Sequence, residues 1–373
     1  MPEVRVLHMA DLHLEWPFGS TGADGRQGRV RREELKDVLA GIIDLAVDRQ
    51  VQVLLLAGDL YEHAHATRGT AKFLDDQFRR IPGVHVFISP GNHDPYLEGG
   101  YWQTYPWAPN VHIFGPEPER VDLPDLPVTV TGWGFGAWEV RSWQLGALGT
   151  PPPDRINLGV LHGGDEAYHP FGPAELGALG LDYIALGHIH KTGTVLERGG
   201  KVVARYSGSP EALSFGEPGD HGVYVGTVSK EANRLDYVVT GRRRYITREV
   251  DLSGAVSLED VVQAILQVDS PADRAQHCYR LTLTGFVDPG LAVDTAVLTE
   301  RLAGKYHLLR LTDQTEPDYD LAELARERSA RGLFVQRLLA MEDAAEGDAA
   351  AQRRIRRALA LGLAAFAGKG GAL

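Results

Sequence analysis

Cysteine is almost absent: Cys278 is the only one in 373 residues, so the chain can form no internal disulfide and no thiolate cluster for a metal. That scarcity suits a reducing cytoplasm. No apolar run approaches the length of a membrane span, and the polar start "MPEVRVLHMADLHLEW", with Glu3 near its head, lacks the character of a secretion signal. Basic residues are outnumbered as well. With 38 Lys and Arg against 50 Asp and Glu, the formal net charge is −12. The basic excess of many nucleic-acid binders is missing, although local basic clusters or bound cations can reverse the field where it counts. Internal repeats are also missing. What remains is an ordinary globular composition, 43% hydrophobic and 24% charged, long enough for two or three domains with a sizeable core.

The first part alternates short apolar runs with helical stretches. Val4–Met9, Val51–Leu56 and Val84–Ser89 read as strands. Val30–Arg49 and Thr67–Arg80 between them read as helices, the first with Leu35, Val38, Leu39, Ile42, Ile43 and Ala46 at helical spacing. This βαβαβ order predicts an α/β domain with parallel pairing. Further strands are expected at Val128–Trp133, Ile156–Leu161, Tyr183–Leu186, Val202–Tyr206, Val223–Val228 and Arg234–Val239, with few helices between them. The Pro-rich segment Leu145–Arg155 reads as a surface connection.

Composition shifts after "TGRRRY". Strand Tyr245–Leu252, helix Ser257–Val268, strand Cys278–Val287, helix Leu291–Ala303 and strand Tyr306–Thr312 then predict a compact α/β domain. Two amphipathic stretches, Ala330–Ala345 and Ala349–Ala367, predict a helical tail. The expected boundaries are 1–240, 245–315 and 316–373.

Five motifs each end or closely follow an apolar run: "ADLH" (Asp11, His13), "AGDL" (Asp59), "GNHD" (Asn92, His93, Asp94), "LHGG" (His162) and "LGHIH" (His188, His190). Singly they mean little. Asp-x-His is common, Gly-Asp after a strand is usually a turn, and Asn and Asp are ordinary turn formers. Together, five strand ends supply oxygen and imidazole donors where α/β sheets bind ligands. That donor set suits borderline divalent metals such as Mn, Fe or Zn better than Ca or Mg. The order points to a dimetal site.

These motifs resemble those of the calcineurin-like metallophosphoesterase superfamily over about the first 190 residues. "YSGSPEALSFGEPGDHGVYVG", Tyr206–Gly226, resembles the stretch after the last metal motif in DNA-repair exonucleases of the SbcD and YhaO type. The resemblance implies a layered α/β/β/α sandwich, a small α/β capping domain and a C-terminal helical tail. It implies two divalent ions, with Mn²⁺ expected. One would be held by Asp11, His13 and His190, the other by Asn92, His162 and His188, with Asp59 bridging. His93 would protonate the leaving oxygen or stabilise the transition state, and Asp94 would orient it. The related nucleases often carry another histidine after the "GD" strand. Glu62 stands nearest to that place, with His63 and His65 following as candidate phosphate contacts. Arg242, Arg243 and Arg244 are further candidates at the domain join, or else a solvated linker.

The implied activity is metal-dependent hydrolysis of DNA phosphodiesters in repair or recombination, as an exonuclease and also as an endonuclease. DNA and an SbcC- or YhaN-like SMC-type ATPase are the implied partners, and a homodimer is compatible with the same reading. Hydrolysis of a small nucleotide phosphodiester is the alternative on the same chemistry. The tail carries two apolar clusters, Leu333, Val335, Leu338 and Leu339, then Ile355, Leu359, Leu363 and Phe366. They are expected to hold that partner or to pack on their own domain.

Overall fold

The computed structural model describes residues 2–19 and 25–367, so the predicted tail residues 368–373 lie outside the described residues. The chain forms two compact units. The first comprises Met1–Thr247, Pro271–Arg280 and Gly304–Arg310; the second comprises Arg248–Ser270, Leu281–Ala303 and Leu311–Leu373.

In the first unit, β1 (Glu3–Met9), α1 (Gly25–Asp48), β2 (Val53–Leu56), α2 (Arg68–Arg79) and β3 (His85–Ile88) follow the predicted alternation. Then come α3 (Tyr101–Thr104), β4 (Val111–Ile113), β5 (Glu119–Asp122), β6 (Val128–Gly132), β7 (Ile156–His162), α4 (Pro173–Ala178) and β8 (Tyr183–Gly187). β9 (Gly193–Arg198), β10 (Lys201–Tyr206), β11 (Gly222–Ser229) and β12 (Asn233–Val239) complete its two large sheets. One sheet has the order β12-β11-β1-β2-β3-β4 and the other β5-β6-β7-β8-β10-β9. β1 to β4 pair in parallel, as do β6, β7, β8 and β10; antiparallel strands finish the edges.

Period-2 alternation builds the layers. Leu7, Met9, Leu54, Leu56, Val86 and Ile88 share a core with Leu35, Leu39, Ile42 and Ile43 of α1 and with Leu74 and Phe78 of α2. The opposite face presents Val4, Val6, Val53, Leu55 and Phe87 to Val128, Val130, Leu158, Val160 and Tyr183 of the second sheet. The far side of that sheet packs Leu161, Ile184 and Leu186 with Leu176 of α4. Both parallel strand sets are therefore covered on each face, as parallel pairing requires. The result is the layered α/β/β/α sandwich.

β13 (Tyr245–Asp251), α5 (Leu258–Leu266), α6 (Pro271–Gln276), β14 (Cys278–Thr284), β15 (Phe286–Val287), α7 (Thr295–Arg301), β16 (Leu308–Asp313) and β17 (Glu316–Pro317) follow. The strand expected over Cys278–Val287 is broken at Gly285, whose φ of +95° leaves the extended region. The helix expected from Leu291 begins at Thr295 instead, because the Asp294 side chain caps it by accepting from the Ala296 and Val297 N–H groups.

The tail contains α8 (Leu321–Leu324), α9 (Ala330–Ala344) and α10 (Ala349–Phe366). α9 and α10 pack on one another: Val335, Leu359 and Leu363 form a small core joined by Tyr319, Leu324, Phe334 and Leu338. Leu333, Met341, Leu361 and Phe366 remain about half exposed. Among the described residues no helix is long and apolar enough to cross a membrane.

Candidate metal centre

β1, β2, β3, β7 and β8 all end toward the predicted motifs. Four of those residues sit in the left-handed region that bulky side chains avoid: Asp11 (φ 55°), His13 (51°), Asp59 (53°) and His188 (103°). Such strain persists only where the surroundings over-determine it, and it gathers at functional sites. Here backbone bonds lock it. Asp11 N–H donates to Gly58 O at 3.0 Å, His13 N–H to Asp59 O at 2.9 Å, and His188 N–H to the Asp11 carboxylate at 2.9 Å. Gly91 permits a close approach, since a Cβ there would collide with Asp59 Oδ1.

The seven expected ligands come together as two groups. Ligand atoms of Asp11, His13 and His190 lie within 4.8 Å of one another, and so do those of Asp59, His162 and His188. His13 Nε2 and His190 Nε2 are 3.1 Å apart. Asn92 Oδ1 is 3.0 Å from His162 Nε2 and 3.2 Å from His188 Nδ1. Asp59 Oδ2 lies 3.2 Å from His162 Nε2 and 3.8 Å from His13 Nε2, so one carboxylate faces both groups.

The second nitrogen of each ring shows what the first is for. His162 Nδ1–H donates to Ala57 O at 2.8 Å, so Nε2 is the nitrogen turned toward Asn92 Oδ1 and the Asp59 carboxylate. His13 Nδ1 meets Glu62 at 2.6 Å, His190 Nδ1 meets Glu217 at 3.0 Å, and His188 Nε2 meets Asp165 at 2.9 Å. Carboxylates or carbonyls behind imidazoles are the usual support of metal-bound histidine. Burial lowers the basicity of His162 and His190, yet Asp59 and Asp11 around the first, and Glu217 and Asp11 around the second, raise both to about 9. A pocket that draws protons onto buried imidazoles favours cations. Seven converging nitrogen and oxygen donors with no sulfur fit a pair of divalent ions.

His93 lies in neither of these two groups; with His13 and Glu62 it forms a third cluster whose ligand atoms lie within 4.8 Å of one another. The His93 side chain is 39% exposed, and its Nδ1 bonds Glu62 Oε2 at 3.0 Å, while among the described residues Nε2 makes no hydrogen bond. Burial lowers its basicity, but Glu62 and Asp59 outweigh that and raise it above the ordinary value. Against the opposing effect of burial, His13 and His93 hold Glu62 down to about 2. The expected orienter, Asp94, does something else. Its oxygens accept from the N–H groups of Asp59 (3.0 Å), Leu60 (2.7 Å) and Gly91 (2.7 Å), bracing two strand-end turns from beneath. Glu62, on the loop that follows β2, stands in the orienting place expected of Asp94, its Oε2 3.0 Å from His93 Nδ1.

His63 lies beside this centre: its N–H donates to His93 O at 3.0 Å and its ring meets Trp138 edge-on at 5.2 Å. His65 is exposed. The three join arginines are engaged inside the chain: Arg242 with Asp37, Arg243 with Glu34 and Arg244 with Asp220. Arg243 is mostly buried in its pair, whereas Arg242 and Arg244 pair at the surface and stay about half exposed. Sequence reasoning assigned no role to Asp165 and Glu217. Their only signal was lying 3 residues after His162 and inside "SFGEPGDHG".

The model of the calcineurin-like phosphoesterase family matches residues 4–192. Over 87% of its length the chain is 29% identical to an uncharacterized metallophosphoesterase, YhaO of Bacillus subtilis, covering 85% of that protein. It is 26% identical to the DNA double-strand break repair protein Mre11 of Saccharolobus solfataricus over 56% of this chain and 55% of that one. With the SbcD component of the nuclease SbcCD of Rhodobacter capsulatus it shares 27% identity, over 59% and 65% respectively. The matches to these last two span less than two thirds of their lengths.

Proposed function

The chain belongs to the calcineurin-like phosphoesterase family, and from that premise we propose that it is a manganese-dependent DNA nuclease acting on DNA ends or DNA structures with an SMC-like ATPase. The observation that carries the phosphodiester chemistry is the pair of ligand groups that Asp59 faces together, with His93, held by Glu62, beside them. Similarity to proteins named for nuclease activity and double-strand-break repair supports DNA as the substrate.

Asp11, His13 and His190 would hold one ion, Asn92, His162 and His188 the other, with Asp59 between them. When bound, such a pair draws charge from a phosphoryl group and makes water acidic near neutral pH. The protein does the rest. Asn92 is a neutral ligand, so it adds no negative charge where a phosphate must approach. Glu62 fixes His93 through Nδ1, leaving Nε2–H to pass its proton to the leaving oxygen. Imidazole and carboxylate donors favour Mn²⁺ over Mg²⁺. In this reading the small α/β domain shapes DNA access and the tail holds the ATPase.

The net charge of −12 and the ion-paired arginines favour a second reading, a small nucleotide phosphodiester as substrate. End-labelled single- and double-stranded DNA, assayed beside a chromogenic diester, separates the two. DNA cleavage lost in chelator, regained best with Mn²⁺ and removed by Asp59→Asn, is the expected result. Diester hydrolysis without DNA cleavage selects the second reading, and undiminished activity in chelator overturns both.

A further inference from the structure

Trp138 is half exposed, an unusual setting for a large aromatic ring. It sits on a loop whose two ends are stitched to the metal centre. At one end Phe135 N–H donates to Pro90 O at 3.0 Å, and Tyr96 N–H to Phe135 O at 2.7 Å, tying the loop to the G-N-H-D turn. At the other, Val140 N–H donates to Ala167 O at 3.1 Å and His169 N–H to Val140 O at 2.6 Å, tying it to the segment after His162. Tyr168, paired with Val140, places its ring 4.9 Å from that of His188. The indole is thus presented by an anchored loop. Behind it stands His63, whose backbone bonds the carbonyl of His93 itself.

Resting on the nuclease reading above, we infer that Trp138, backed by His63, is a stacking platform for an unpaired nucleobase next to the scissile phosphate. The charge pattern shows why such a platform is needed. Arg242, Arg243 and Arg244 are ion-paired and the chain is acidic, so phosphate contacts at the join would have to displace those pairs first. An aromatic face gains from stacking without carrying charge, and it accepts any base because every base has a π-face. A base held flat on an indole is also one withdrawn from a duplex, so the preferred substrate is a single strand or a frayed end.

The test compares Trp138→Ala and Trp138→Phe with the unaltered protein, in Mn²⁺. One substrate is a labelled single-stranded oligonucleotide; the other has identical phosphates but abasic residues around the cleaved bond. Trp138→Ala should lower kcat/KM on the base-bearing strand roughly tenfold, the scale of one base–aromatic stack, and change the abasic strand less than about twofold. Trp138→Phe should recover most of the loss. Equal losses on both strands would overturn the stacking role and leave the nuclease reading standing. Anisotropy of the same labelled strands in chelator covers an inactive enzyme. Base-dependent binding that needs Trp138 keeps the platform while the nuclease reading fails, and absence of such binding ends both.

Discussion

Glu62 holds two imidazoles with one carboxylate, His13 from the ligand set and His93 from outside it. Position and proton supply therefore depend on the same side chain. His93→Ala should lower turnover by roughly 10²–10⁴-fold with metal content unchanged, since it removes a proton donor and no ligand. Glu62→Gln should lower turnover and also weaken metal binding by about 10–100-fold, because His13 loses its support. Metal analysis beside initial rates distinguishes them, and loss of metal from His93→Ala would overturn its assignment. His8 shows the opposite design, a histidine kept neutral. It is buried, Tyr183 O–H donates to its Nδ1 at 2.8 Å, and its Nε2–H donates to Leu186 O at 3.1 Å. Burial pulls its pKa down to about 3. The unfolded chain takes up a proton below about pH 6.5 that the fold refuses. The stability this contributes is complete above that pH and lost as pH falls toward 3. Between pH 7 and 5 the unfolding free energy should drop by about 2 kcal/mol more than in His8→Gln. Urea unfolding in chelator measures it, and equal pH slopes would refute the buried neutral state.

At the scale of elements, α1 does more than cover its sheet. Arg31, only 2% exposed, bonds Glu34 at 2.5 Å, Glu211 at 2.6 Å and Ala212 O at 2.9 Å, and Arg243 closes the network on Glu34. Breaking a buried network strands charge, so Arg31→Ala should cost about 3–5 kcal/mol, seen as a lowered urea midpoint. A loss below about 1 kcal/mol would show that water reaches the carboxylates. The same network marks where sequence reading stops. Strands β1, β2, β3, β7 and β8 were legible because each is an apolar run ending in a polar donor, and that arrangement also brought the ligands into view. Glu217 is 27 residues from His190, and Glu62 is 49 from His13, so no local pattern announces either partnership. The short edge strands β4, β5 and β9 lack the apolar density that reveals a buried strand. The arginines of "GRRRY" looked free because two of their partners, Glu34 and Asp37, lie far earlier in the chain.

For the molecule as a whole, the open matter is whether its tail serves the enzyme's own fold or a second protein. The sequence presents two apolar stripes, and the structure divides them. Leu359 and Leu363 are buried in the α9–α10 pair with Val335, so changing them would unmake the hairpin and report nothing about a partner. Leu333 and Leu361 are about half exposed and carry that question. If the proposed SMC-like ATPase docks here, Leu333→Glu with Leu361→Glu should abolish its co-purification and any ATP-stimulated cutting of duplex DNA. Single-strand cleavage should be unchanged, and stability from urea unfolding should stay within about 0.5 kcal/mol of the unaltered protein, as for surface changes. Leu359→Glu provides the contrast, since a charge placed in the hairpin core should lower stability by several kcal/mol. Retained ATPase association in the Leu333 and Leu361 double variant would move the docking surface elsewhere. Leu333 and Leu361 would then have no part in the partnership.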